Sequence, residues 1–274
     1  YNRTTDPQHK EIVQEVFLDL YNAGLLTQKT MQQYCEVSSE GIIKFLPDRY
    51  VIGICPNCKN EDARGDQCDA CGLTYEANEL DSPRSKTNPQ ATIEVRDTDH
   101  LFYRLDEFQS KLESHAASRK KVWKPNVRAM TQNWLNMGLR PRAVTRDLDW
   151  GINVAINDEE WNTKRIYVWF EAVIGYLSAS KEWAQKKGTP DAWRVFWEDP
   201  STLPYYFIGK DNIPFHTIIW PGILLGYENH NLPYDVPANE YMNLSGGKFS
   251  KSENRAVWTH EFLEKFSADA LRYY

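Results

Sequence analysis

Four cysteines fall in two C-x-x-C pairs, Cys55 with Cys58 and Cys68 with Cys71, with nine residues between the pairs. Two thiolates at i and i+3 on a tight turn point at one ion, and two such turns close the tetrahedron that Zn²⁺ takes in structural sites. Gly65 and Gly72 sit where those turns need a permissive backbone. Four thiolates leave no open coordination position, so the ion is expected to hold structure and to catalyse nothing. A redox pair or chance spacing is the alternative, and the doubling of the motif argues against both. The fifth cysteine, Cys35, reads as a small buried or surface residue.

With no secretory signal in view, this cysteine usage favours metal over disulfides and a cytoplasmic compartment. No run of eighteen apolar residues occurs, so no membrane partner is expected. The 274 residues, 41% hydrophobic and 26% charged, suit one or two globular domains. A net charge of −6 argues against a nonspecific nucleic-acid coat and leaves a local basic groove open. Tyr1-Asn2-Arg3 and Ala270 to Tyr274 both read as interior stretches, so both ends are expected to be cuts.

Ile12, Val13, Val16, Phe17, Leu20 and Tyr21 have helical spacing, with Gly24 as a C-cap. Residues 35–89 shift to short strands and turns. A strand and then a helix are expected over 92–114, and another helix over 125–138. Ile166 to Phe170 is a short apolar run suited to a buried parallel strand, followed by a helix carrying Tyr176, Leu177 and Trp183. Tyr205 to Ile208 is a second such run, ended by Gly209, and a helix over Pro214 to Leu225 follows. Strand–helix–strand–helix predicts an α/β doubly wound sheet.

Three stretches carry chemistry. Gly246-Gly247-Lys248-Phe249-Ser250-Lys251-Ser252 frees the backbone and then alternates ammonium groups with hydroxyls, which suits a polyphosphate; an ordinary solvated loop has the same composition. Ile208-Gly209-Lys210-Asp211-Asn212 lies between a strand end and a helix start, where open α/β sheets bind ligands. There Asp211 either takes ribose hydroxyls or caps the helix. Trp169 to Tyr176 surrounds small residues with aromatics, as a pocket wall or as plain core. His216 and Trp220, at i and i+4, share a helix face, where a structural histidine is the alternative.

Taken together and in this order, these pieces resemble the methionyl-tRNA synthetases of the class I aminoacyl-tRNA synthetase family. Lys248-Phe249-Ser250-Lys251-Ser252 is similar to the K-M-S-K-S signature, with Phe for Met. Y-Y-F-I-G-K-D-N-I-P-F-H-T-I-I-W from Tyr205 to Trp220 is similar to the family's strand–helix segment. V-W-F-E-A-V-I-G-Y from Val168 to Tyr176 resembles V-W-F-D-A-P-I-G-Y, with Glu171 for Asp and Val173 for Pro. Thr145-Arg146-Asp147 resembles the S-R-D at the return into the core, and Gly72-Leu73-Thr74-Tyr75 matches the G-x-T-Y after the knuckle. The family's H-x-G-H motif is absent: none of His9, His100, His115, His216, His230 and His260 fits it.

The resemblance implies an incomplete Rossmann-like doubly wound parallel sheet interrupted by a small zinc-knuckle insertion. Its implied divisions are 1–28 for the end of the first half of the core, 29–144 for the insertion, 145–240 for the second half, and 241–274 for the signature loop region. It implies ATP-dependent activation of methionine to methionyl-adenylate and transfer to tRNA(Met), with one structural Zn²⁺ and with Mg²⁺ arriving on ATP. Lys248 and Lys251 would be catalytic; Gly209, Asp211, Lys248, Ser250 and Lys251 would bind ATP; Trp169, Ala172, Tyr176, His216 and Trp220 would line the methionine site. The 274-residue piece alone is expected not to form adenylate. Another class I synthetase would carry a large editing insertion, and a non-catalytic zinc RNA-binding module would not need the pocket elements or the lysine–serine loop.

Overall fold

The computed structural model describes residues 3–38, 40–65, 68, 70–71, 75, 77–227, 229–244, 247–249 and 256–273. Helix α1 (Pro7–Asn22) starts on a proline, whose missing N–H costs nothing in the first turn, and buries Ile12, Val13, Val16, Phe17 and Leu20. Gly24, at φ +73°, makes the left-handed turn that ends it, and the Leu25 amide closes back on the Leu20 carbonyl at 3.0 Å. The chain then runs out along β1 (Leu26–Val37), which pairs over its whole length with the returning strand β6 (Thr92–Tyr103). This antiparallel ribbon is flanked by β2 (Ile43–Phe45) and β7 (Arg142–Ala143) in the order β2-β1-β6-β7.

At the far end of the ribbon a second small sheet, β3 (Val51–Ile54), β4 (Ala63–Arg64) and β5 (Asp81–Ser85), carries the cysteines. Its core is separate from the main one and consists of Tyr34, Leu46, Val51, Cys55, Ala63, Cys68 and Leu80. Helices α2 (Gln109–Ser118) and α3 (Pro125–Asn136) follow β6.

The hairpin of β8 (Thr145–Asp147) and β9 (Lys164–Ile166) brings the chain back to the main core. The long helix α4 (Val168–Lys186) leaves it directly. The apolar run expected as a strand over 166–170 is thus split: the strand stops at Ile166, Tyr167 is extended, and the helix starts at Val168. Phe170, Val173, Ile174 and Leu177 are buried at helical spacing, and a short apolar run fits either period. After α5 (Arg194–Trp197), β10 (Ile208–Gly209) leads into a continuous helical stretch. That stretch has a π-helical turn at Phe215–Ile219 and continues as α6 (Trp220–Tyr227). β11 (Ala238–Asn239) then returns parallel to β10, with a parallel bridge at Tyr205 and Asp235. This β–α–β unit is the Rossmann-like element, and α1, α4 and α6 pack with Leu101 and Tyr103 into the main core. A hairpin, β12 (Asn243–Leu244) with β13 (Gly247–Lys248), and helices α7 (Thr259–Leu263) and α8 (Ala268–Tyr273) complete the described chain.

The return hairpin is clasped by buried charge. Arg146 donates from Nη2 to Asp48 Oδ2 at 3.1 Å, and the Tyr167 hydroxyl donates to the same oxygen at 3.0 Å. Lys164 Nζ reaches Asp147 Oδ2 at 2.8 Å, and the Thr98 hydroxyl joins it at 2.6 Å. His100 lies fully buried beside this cluster, with Nδ1 at 3.0 Å from the Thr145 hydroxyl. Burial, and then the nearby Arg146 and Lys164 charges, push its pKa down to about 2.

Below about pH 6.5 the unfolded chain takes up a proton on His100 that the folded chain refuses until about pH 2. Stability therefore falls as pH falls through that window and is restored above it, by roughly 1.4 kcal/mol per pH unit for one such group. Thermal unfolding between pH 7 and pH 5 should show this loss. His100→Gln should flatten the slope, and an unchanged slope would contradict a neutral buried His100.

Candidate active site and metal centre

The turn after β3 brings Cys55 and Cys58, and the stretch after β4 brings Cys68 and Cys71, into one cluster that could hold a metal ion. The Lys59 amide donates to the Cys55 carbonyl at 3.1 Å, Lys59 itself adopts φ +60°, and the Cys58 amide points at Cys55 Sγ at 3.5 Å. The sulfurs of Cys55 and Cys71 are 3.8 Å apart, those of Cys58 and Cys68 are 3.5 Å apart, and all four lie within 4.8 Å of one another. A tetrahedral zinc with bonds of about 2.3 Å places its sulfurs about 3.8 Å apart, so the donor set fits the ion. The Asn60 amide favours a Cys58 thiolate, but crowding by burial and by the thiols of Cys68, Cys71 and Cys55 pushes that thiol up to about 12. A cation entering the cluster would displace these protons. Of the glycines expected at the turns, Gly65 donates its amide to the Val51 carbonyl at 2.9 Å, and Gly72 lies outside the described residues. Cys35 is buried in β1, with its thiol 3.6 Å from the Glu94 carbonyl, and takes no part.

On the core side, α4 and the π-helical turn build an aromatic box. Trp169, Ala172 and Tyr176, at i, i+3 and i+7, share one face of α4. The Tyr176 hydroxyl and His216 Nε2 are 2.8 Å apart, while His216 Nδ1 lies 2.9 Å from the Asn212 carbonyl. A carbonyl only accepts, so Nδ1 carries the hydrogen and Nε2 accepts from Tyr176. Burial lowers the pKa of His216 and keeps the ring neutral, against the opposing pull of the Asn212 carbonyl. The π-helical widening sets His216 at this position, a feature frequent at functional sites.

Trp220 is almost fully buried and donates its indole N–H to the Tyr206 hydroxyl at 3.0 Å. Tyr206 stands edge-on to Tyr176, with centroids 4.9 Å apart, and packs against His216 at 5.5 Å. Trp169 is placed differently from these three. It stacks on Phe215 at 4.8 Å and faces a cleft of about 880 Å³.

That cleft runs from the cysteine module, at Asn57 and Cys71, across Arg146 and Tyr167 to Lys210 and Asp211. Asp211 follows β10 at the carboxyl end of the parallel pair. It sits inside the short helical turn Lys210–Asn212, whose N-cap is Gly209, and the next turn is capped at Pro214, in both cases without a side-chain cap hydrogen bond. A Cβ on Gly209 would come within 2.8 Å of Asp211 Oδ1, so glycine is what lets this carboxylate fold back over the strand end. Lys210 pairs with Glu240 at 2.6 Å, and Tyr241 lines the cleft just before β12. The Lys248 backbone lies in β13, and Ser250 and Lys251 fall outside the described residues.

The sequence singles out the histidine and the tryptophan of the box but not Tyr206 and the Asn212 carbonyl, which hold them, nor Phe215, which stacks on Trp169. Their signal was adjacency alone, inside segments already singled out. Nor does it single out Asp48 and Arg49, which reach the core from the cysteine module.

The family model described as tRNA synthetases class I (M) matches residues 1–274. A protein of Roseiflexus sp. named methionine–tRNA ligase is 49% identical over 280 residues, covering 100% of this chain and 47% of that protein. One of the same name from Thermoplasma acidophilum is 46% identical over 275 residues, covering 100% of this chain and 49% of that protein. The chain thus spans about half the length of these relatives. The crystal structure of Mycobacterium tuberculosis methionyl-tRNA synthetase bound by methionyl-adenylate shares the fold, with a TM-score of 0.66 at 22% identity. That match covers 100% of this chain and 46% of the other.

Cys68→Ser should remove the ion. Metal analysis of the purified protein should give one zinc per chain for the parent and far less for the variant. The insertion should lose order with it, because binding free energy at such sites is largely folding free energy. Equal zinc content in both proteins would refute the ligand set.

Proposed function

We infer the function from the family: the chain belongs to the class I tRNA synthetases of the M type, and it carries the amino-acid and nucleotide side of a methionine–tRNA ligase's active site. The whole enzyme joins methionine to ATP as methionyl-adenylate and then passes the methionyl group to the 3′ end of tRNA(Met). The observation that carries this reading is the aromatic box of Tyr176, His216 and Trp220, tied through the Asn212 carbonyl to the segment that sets Asp211 just after the parallel strand β10.

In the first step the methionine carboxylate attacks the α-phosphorus of ATP in line, an oxygen–phosphorus bond forms, and pyrophosphate leaves with the electron pair. The protein positions both reactants and stabilises charge. Trp169, Ala172, Tyr176, His216 and Trp220 shape the side-chain pocket. Its aromatic walls suit a thioether, with about 0.3–1.5 kcal/mol from each sulfur–aromatic contact. The hydrogen bonds to Tyr176, the Asn212 carbonyl and Tyr206 occupy the ring nitrogens of His216 and Trp220, so neither ring offers a free N–H to a hydrophilic amino acid. Asp211 takes the ribose hydroxyls, with the Gly209 backbone close by. Lys248, Ser250 and Lys251 close on the phosphates, where Mg²⁺ arrives with ATP. Zinc on Cys55, Cys58, Cys68 and Cys71 supplies cross-linking of the insertion and no chemistry. Among the described residues no helix is long and apolar enough to cross a membrane, and a cytoplasmic location with no membrane partner fits the family.

The full-length protein should exchange pyrophosphate into ATP with methionine and not with leucine. Lys251→Ala should slow adenylate formation about 10²–10³-fold while the methionine dissociation constant stays nearly fixed. Methionine carries no phosphate, so the lysine acts only as charge gathers on the leaving pyrophosphate. Exchange that ignores methionine would remove the assignment. A tenfold loss of methionine affinity with an intact adenylation rate would remove the role of the loop.

A further inference from the structure

We propose that Arg49, carried on the zinc-bearing insertion, is a positioning residue for the amino-acid site, acting through Trp169. The inference rests on the reading of Trp169 as a wall of the methionine pocket. The guanidinium of Arg49 lies 4.2 Å from the centroid of the Trp169 ring, although the two residues are 120 positions apart. Trp169 stacks on Phe215 at 4.8 Å, and Phe215 directly precedes His216 of the aromatic box. The indole thus touches both the core, through Phe215, and the insertion, through Arg49.

The turn that carries Arg49 is fixed on three sides. Its neighbour Asp48 is bound by Arg146 and Tyr167, and Tyr167 is the residue from which α4 starts. The Asp48 carbonyl accepts from the Gly65 amide at 3.2 Å, and the Tyr50 carbonyl accepts from the Lys86 amide at 2.8 Å. From Tyr50 the chain runs straight through β3 into the metal ligand Cys55. A rigid support therefore aims a flat cation at a flat ring. A guanidinium stacks on an indole in a way that an ammonium does not. Without Arg49 the Trp169 ring would gain rotational freedom, and methionine would bear the entropic cost of ordering it.

The test uses the full-length ligase. Arg49→Ala should raise the methionine dissociation constant and KM between about twofold and thirtyfold, the range that one cation–π contact spans. The adenylation kcat should stay near that of the parent. The Trp169 indole N–H resonance, assigned through Trp169→Phe, should shift and broaden in the variant. Arg49→Lys should recover only part of the affinity, because it restores the charge without the plane. Arg84→Ala, an exposed arginine paired with Asp62 in the same insertion, should leave methionine binding unchanged.

Methionine affinity within twofold of the parent, at normal zinc content, would overturn the proposal. So would a fall in kcat with KM intact. Failure of the parent to bind methionine would instead remove the functional reading beneath it. If Arg49→Ala loses zinc or melts early, Arg49→Met, which keeps the stem, takes the same test with the same expected and contrary results.

Discussion

The whole arrangement depends on the buried ionic clasp at the return hairpin. Arg146 and Asp147 are consecutive residues of β8 that point to two different partners. Arg146 holds Asp48 of the insertion, and Asp147 holds Lys164 of β9. Arg146 also lies flat on the Tyr167 ring at 4.3 Å. One extended dipeptide thereby fixes the cysteine module, the start of α4 and the base of the ribbon relative to one another. Such buried pairs add little net stability over apolar side chains, because desolvation offsets the attraction. Removing one partner, however, strands the other charge at a cost of about 3–5 kcal/mol.

The insertion needs this help. Among the described residues its own core is seven buried residues, too few to fix a domain without a cross-link. The four-cysteine cluster, which fits one zinc, would supply the cross-link at one end, and the clasp supplies the orientation at the other. The consequence reaches the site, since the cleft is walled on one side by Asn57 and Cys71 of the insertion and on the other by Lys210 and Asp211 of the core. A shift of the insertion would therefore reshape that cleft.

Much of this was legible in the sequence because short-range patterns carried it. The cysteine spacing, the apolar stripe of α1, and the order of strand, glycine, aspartate and helix at Ile208 to Asp211 are all local. The ribbon was not legible. β1 is exposed on both faces along its middle, so Gln28, Lys29 and Thr30 give no alternation of polar and apolar residues. The run at Ile166 to Phe170 was read as one strand because five apolar residues fit a buried strand and a buried helix equally. The clasp was invisible for another reason: Asp48 and Arg146 lie 98 positions apart, and nothing in either neighbourhood names the other. Asp211 could be suspected from its place after a strand. The structure puts it inside the turn Lys210–Asn212, with Gly209 at the N-cap position.

The central claim is that the box of Tyr176, His216 and Trp220 receives the methionine side chain while Asp211 receives the nucleoside. A crystal structure of the full-length ligase with a non-hydrolysable methionyl-adenylate analogue tests it most directly. The account predicts the thioether inside the aromatic box, with the Tyr176–His216 hydrogen bond intact and the ribose hydroxyls on the Asp211 carboxylate. An analogue seated elsewhere in the cleft, with the box closed and Asp211 free of the ribose, would contradict it.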